Sequence, residues 1–188
     1  MKRINSLLIG LLLVTTITTY GQANSKLVSS KTHIKFYSHT ALEDIEANNY
    51  ASVSTINSET GAFVFSVPMQ GFEFEKSQMQ KHFNGKGILN TKAYPKSKIV
   101  GQIINFDDVD LSSDGEYLAN VEGELSIKGQ TNSVSEKGTI TVKGNSIVVQ
   151  SKFNITLVDY GVELLKGKPS TNVAKTVEVT VHAEYVAE

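Results

Sequence analysis

Val177-Glu178-Val179-Thr180-Val181-His182-Ala183-Glu184-Tyr185 reads as one strand with an apolar face and a wet one. Val177, Val179, Val181 and Tyr185 share a parity, and Glu178, Thr180, His182 and Glu184 hold the other. A period of two rich in β-branched side chains marks a half-buried strand, because successive side chains point to opposite faces of a sheet. The same period recurs upstream. Ile34 and Phe36 lie two apart, as do Phe63, Phe65 and Val67. Ile99, Gly101 and Ile103 share a face, with Val100, Ile104 and Phe106 on the other. Val121, Leu125 and Ile127 alternate with Glu122, Glu124 and Ser126, and Ile140 and Val142 with Thr139, Thr141 and Lys143. Ile147, Val149, Phe153 and Ile155 complete the set.

Turn chemistry separates these runs. Ser113-Asp114-Gly115, Lys128-Gly129-Gln130 and Lys143-Gly144-Asn145 each place a glycine where a hairpin needs positive φ. Links this short join antiparallel neighbours, and many such strands make a barrel or a sandwich. One stretch departs from period two: in Lys76–Phe83, Met79 and Phe83 stand four apart, which predicts a short helix ended by Asn84-Gly85 and able to cover one end of a barrel. Residues 43–50 fit helix and strand equally.

The N-terminus reads as an address. Lys2 and Arg3 precede an apolar run from Leu7 to Val14, and Thr19 and Gly21 supply small residues at the exit. This is the pattern of a secretory signal peptide over residues 1–21, leaving residues 22–188 as one domain bound for the periplasm or the medium. The run is short for a bilayer core of about 30 Å, so stable membrane insertion is not expected. Of 188 residues 40% are hydrophobic, an ordinary globular proportion. Without Lys2 and Arg3, 16 basic side chains face 19 acidic ones. A mildly acidic chain with no basic cluster gives little hold on a phosphate backbone, so nucleic acid is not an expected partner. The absence of cysteine excludes disulfides, thiolate metal sites and a cysteine nucleophile.

Catalytic patterns are missing. His33, His39, His82 and His182 make no metal-binding spacing, and no Gly-x-Ser-x-Gly elbow occurs. Asp107, Asp108, Asp110 and Asp114 lie close together but lack the spacing of a known calcium loop; a solvated strand end is the plainer reading. Lys81, Lys86, Lys92, Lys96 and Lys98 surround Gly85 and Gly87, where they suit either a phosphate-bearing head group or a solvated loop. No enzyme activity, cofactor or metal is expected.

Several segments carry a family resemblance. They are Met79-Gln80-Lys81-His82-Phe83-Asn84, Tyr94-Pro95-Lys96-Ser97-Lys98-Ile99-Val100-Gly101, Gly123-Glu124-Leu125-Ser126-Ile127-Lys128-Gly129, Phe153 to Val162, and a closing strand from Val173 to Val186. In order and spacing they resemble the YceI-like family of exported proteins over most of residues 27–186. The chain resembles a divergent member, with Ala41-Leu42-Glu43-Asp44-Ile45-Glu46-Ala47-Asn48-Asn49 where ligand-binding members often carry a His-bearing segment. The resemblance implies an all-β fold, an eight-stranded antiparallel lipocalin-like barrel with a short helix, and a polyisoprenoid held in its lumen.

The wall of such a lumen is expected from Ile34, Phe36, Phe63, Phe65, Val67, Ile103, Leu125, Ile127, Val149, Phe153, Val179 and Val181. Alternation alone fits a second outcome equally well, in which these side chains meet across the axis and fill the barrel. The leading expectation is an exported protein that binds an apolar lipid or isoprenoid. The alternative is a filled structural barrel that works through its surface loops. Homodimer formation is left open by the sequence.

Overall fold

A computed structural model describes residues 25–163 and 172–187; the expected signal peptide lies outside them. Over the described residues the fold is an all-β antiparallel, barrel-like sheet with one short α-helix. In chain order the strands are β1 (Lys26–Val28), β2 (Lys31–His39), β3 (Asp44–Asn49), β4 (Val53–Asn57), β5 (Ala62–Pro68), β6 (Phe72–Phe74), β7 (Lys96–Ile103), β8 (Gly115–Ile127), β9 (Gln130–Lys143), β10 (Ser146–Thr156) and β11 (Thr176–Val186). Helix α1 spans Ser77–Asn84. The neighbours run β1-β4-β5-β7-β8-β9-β10-β11-β2-β3-β6.

The structure thus divides the sheet into eleven strands, where the family resemblance implied eight. The extra divisions have local causes. Val28 faces Thr55 across β1 and β4, and Ile34 faces Asn49 across β2 and β3. Ser29 N–H still donates to Ser54 O (2.9 Å), but Ser30 N–H turns to Glu184 O (2.8 Å) on β11. The chain changes partner within one residue and bends there. A single-turn 3₁₀ segment, Met69–Gly71, with Met69 buried, separates β5 from β6.

Two of the three glycine turns have the expected conformation, with φ of +79° at Gly129 and +56° at Gly144. Gly115 does not: it opens β8 in extended pairing with Val142. The ambiguous stretch 43–50 is strand over Asp44–Asn49.

Apolar packing inside the sheet is completed by a buried hydroxyl chain. Tyr185, fully buried on β11, shares a 2.6 Å hydrogen bond with Ser54 Oγ. Ser54 Oγ lies 3.2 Å from Thr32 Oγ1, which donates to Ser29 Oγ at 2.7 Å. The chain ties β11 to β2, to β4 and to the bend at Ser29.

Burial raises the Tyr185 hydroxyl to about 12, against about 10 in an unfolded chain. The folded state therefore favours the neutral phenol. Its contribution is complete below about pH 10 and is lost as the pH climbs toward about 12, a loss on the order of 2–3 kcal/mol. Urea unfolding of wild type and Tyr185→Phe at about pH 9 and about pH 11.5 checks this: the wild type is expected to lose more stability between the two conditions. Equal losses in both proteins would show that Tyr185 does not carry the alkaline sensitivity.

Candidate functional site

The inward side chains do not meet across the axis. They surround a cavity of about 1020 Å³, at the upper end of the roughly 300–1,000 Å³ found for small-molecule sites. All twelve side chains named as the expected wall line it. The filled alternative predicts no such space.

Parity places most of the lining. Ile99 and Ile103 come from β7, Val121, Leu125 and Ile127 from β8, Val149 and Phe153 from β10, and Val177, Val179 and Val181 from β11. Sequence reading missed the β9 wall, formed by Val134, Glu136, Gly138 and Ile140. The signal was present: continuing the parity of Ile140 and Val142 backwards reaches these residues. Polar neighbours such as Ser133, Ser135 and Lys137 hide it.

A break in one ladder widens the cavity. β9 and β10 pair from Lys143 and Ser146 only as far as Gly138 and Ser151. Beyond that point β9 continues to Gln130 along β8, and β10 continues to Thr156 along β11. The segment after β10 fills the gap, with Leu157, Tyr160 and Val162 on the lining and the last two buried. Asn132 Nδ2 donates to Asp159 O (2.9 Å) and Lys128 Nζ to Gly161 O (2.6 Å), which pins this segment over β9.

Helix α1 covers another part of the lining with Met79, Lys81, His82 and Phe83. It has no fully buried residue; Phe83 seats it among other rings, and Asn84 at its end accepts from Thr91 Oγ1 (2.8 Å). Phe83 stacks on Phe36 (centroids 5.6 Å apart) and meets Phe72 and Phe74 at 5.4 and 5.1 Å. Eight residues are too few for a helix to persist undocked in water. Phe83→Ala is therefore expected to cost about 1–3 kcal/mol of local stability. Hydrogen exchange is the check: α1 amides should lose protection while those of β8 keep theirs. Unchanged α1 protection would show that other contacts hold the helix.

Charge at the helix edge is internally matched. Asn172 Nδ2 donates to Glu43 Oε2 (3.0 Å) and Lys76 Nζ to Glu43 Oε1 (3.1 Å). These two donors, the Asn172 amide foremost, hold the Glu43 carboxyl below its usual range. Of the five lysines considered for a head group, Lys81 and Lys98 reach the lining.

The aspartates do not gather round a common point. Asp110 accepts from Ser112 Oγ (2.6 Å), Ser113 Oγ (2.7 Å) and Ser112 N–H (2.9 Å), and these bonds draw its carboxyl down to about 2. Among the described residues no three His, Asp or Glu side chains stand close enough to share a metal ion.

A barrel-like antiparallel sheet around an apolar cavity defines a small-ligand-binding class of fold. The YceI-like domain model matches residues 22–185, and the chain belongs to that family. Among solved structures, it is similar to a polyisoprenoid binding domain from Saccharophagus degradans implicated in plant cell wall breakdown. The TM-score there is 0.74 at 14% identity, over 87% of this chain and 99% of that one. BcnA of Burkholderia cenocepacia gives a TM-score of 0.66 at 18% identity, over 81% and 95%. The YCEI protein of Campylobacter jejuni gives 0.60 at 11% identity, over 80% and 89%. No curated protein matches the sequence.

Proposed function

We propose that this protein is an exported lipid carrier, which holds an isoprenoid-type chain inside an eight-stranded closed barrel and performs no catalysis. The cavity carries the reading: about 1020 Å³ with an almost wholly aliphatic and aromatic wall, which suits a flexible hydrocarbon and offers little to a polar metabolite. Family membership and the likeness to a polyisoprenoid binding domain support the isoprenoid class.

The count of eight is supported by continuity of register. Six residues on from Val28 is Ile34, and six back from Thr55 is Asn49, so β1–β2 and β3–β4 form one long hairpin. With β5 and β6 counted as one bent strand, the neighbours run from that hairpin through β7, β8, β9, β10 and β11 and return to β2. Export is supported by the signal-like residues 1–21, and the domain so released is 22–188.

Native mass spectrometry of protein purified from its own host tests the function. A bound mass that extracts into organic solvent and fragments as an isoprenoid is the expected result. A protein that is consistently empty and shows no affinity for added prenyl lipids overturns it.

A further inference from the structure

Glu136 is an unusual member of this wall. It lies on the inward face of β9 between Val134 and Gly138, in line with Val121 of β8 and, through Val121, with Ile103 of β7. Gly138 beside it contributes no side chain. Glu136 is half-buried, and no hydrogen-bond or ion-pair partner for its carboxylate is found among the described residues. Burial raises its pKa. The other carboxylates on the lining differ, since Glu43 is held by Lys76 and Asn172, and Glu163 is exposed.

A second polar group stands in the same wall. Ser97 of β7 is only 6% exposed, and its Oγ is buried without a partner among the described residues. Buried polar atoms are nearly always hydrogen-bonded, because a lone one forfeits its hydration. A pure hydrocarbon satisfies neither group. An ionised carboxylate only accepts hydrogen bonds, and it repels a second anion placed beside it.

We propose that Glu136 makes the cavity selective for amphiphiles that carry a hydroxyl or amine donor, and against those that present a carboxylate at that depth. The inference rests on the lipid-carrier reading and specifies the polar chemistry of the guest. The donor hydrogen-bonds to a Glu136 oxygen while the chain fills the apolar space around Val134, Phe153 and Val181.

Four probes of one skeleton separate head group from tail: farnesol, farnesylamine, farnesoic acid and farnesane. Each is titrated into delipidated wild type and Glu136→Gln by native mass spectrometry. Wild type is expected to bind farnesol and farnesylamine about tenfold more tightly than farnesoic acid, the scale of one charge-assisted hydrogen bond. In Glu136→Gln the acid should come within about twofold of the alcohol, with farnesane unchanged. Equal binding of all four by wild type, or an unaltered ranking in the variant, overturns the inference and leaves the carrier function standing. If wild type binds none of the four, the carrier reading falls and the inference with it.

Discussion

Val149→Phe combined with Val181→Phe is expected to weaken binding of prenyl lipids by about 100-fold while leaving the barrel folded. Val149 and Val181 line the cavity from neighbouring strands. Val181 is paired with Ser151 and Val149 with Ala183, so the two valines are diagonal neighbours on one face. Both are only half-buried although they point inward, and what they expose faces the cavity. Larger side chains at these positions enter open space, so the usual penalty for overpacking does not apply. They displace the guest instead. Excluding about four methylenes of chain, each worth about 0.8 kcal/mol on burial, removes about 3 kcal/mol, or about 100-fold in affinity. Titration with farnesol measures the loss, and urea unfolding checks that stability is kept. Val100→Phe is the control, since Val100 shares β7 with the lining residues but points outward and is 44% exposed. Wild-type affinity in the double variant would place the binding site elsewhere.

These positions were legible because a strand gives each side chain a fixed face, and alternation reports that face directly. Twelve wall residues follow from that rule and from nothing else. It cannot report whether opposing walls touch, because that depends on how widely the strands are spread. Here the spread comes from the β9–β10 ladder ending at Gly138 and Ser151, with Tyr160 and Val162 brought in to fill the gap. That is a pairing between segments distant from the turn joining them, and no local pattern encodes it.

Asn49 shows a second limit. It holds a core position, fully buried beside Ile45 and Ala47, yet its polar side chain breaks the apolar alternation of residues 43–50. Its environment explains it: Nδ2 donates to Pro68 O (2.7 Å), and Oδ1 accepts from Ala51 N–H (3.0 Å) and Ser52 Oγ (2.9 Å). The amide stands in for missing backbone partners at the bend between β3 and β4. Partners nineteen residues away are invisible to a reading of the local sequence.

A glycine pair lets β7 and β8 lie close together in their ladder, and Gly123→Val is expected to cost about 3 kcal/mol or more there. Gly101 and Gly123 face each other in the ladder, both on the inward parity. A Cβ built on Gly123 would stand 2.5 Å from Val100 O and 2.9 Å from Gly101 Cα. One built on Gly101 would stand 2.4 Å from Glu122 O and 2.6 Å from Cζ of Phe63. The obstacles at Gly123 are backbone atoms of the neighbouring strand, so no rotamer change relieves them. Neither residue has positive φ, and the requirement is for space rather than conformation. Relief means moving β7 away from β8, which would disturb the seating of Phe63 over Gly101 and its edge-on contact with Phe65 (6.0 Å). Gly123→Ala should already lower the urea midpoint, and Gly123→Val should lower it further or prevent folding. Gly144→Ala serves as the comparison: nothing lies within 4 Å of its Cβ, and only its φ of +56° opposes the change, a strain of about 1–2 kcal/mol. If Gly123→Ala proves as stable as wild type, the paired strands can part here without cost, and the close approach is not a determinant of the barrel-like fold.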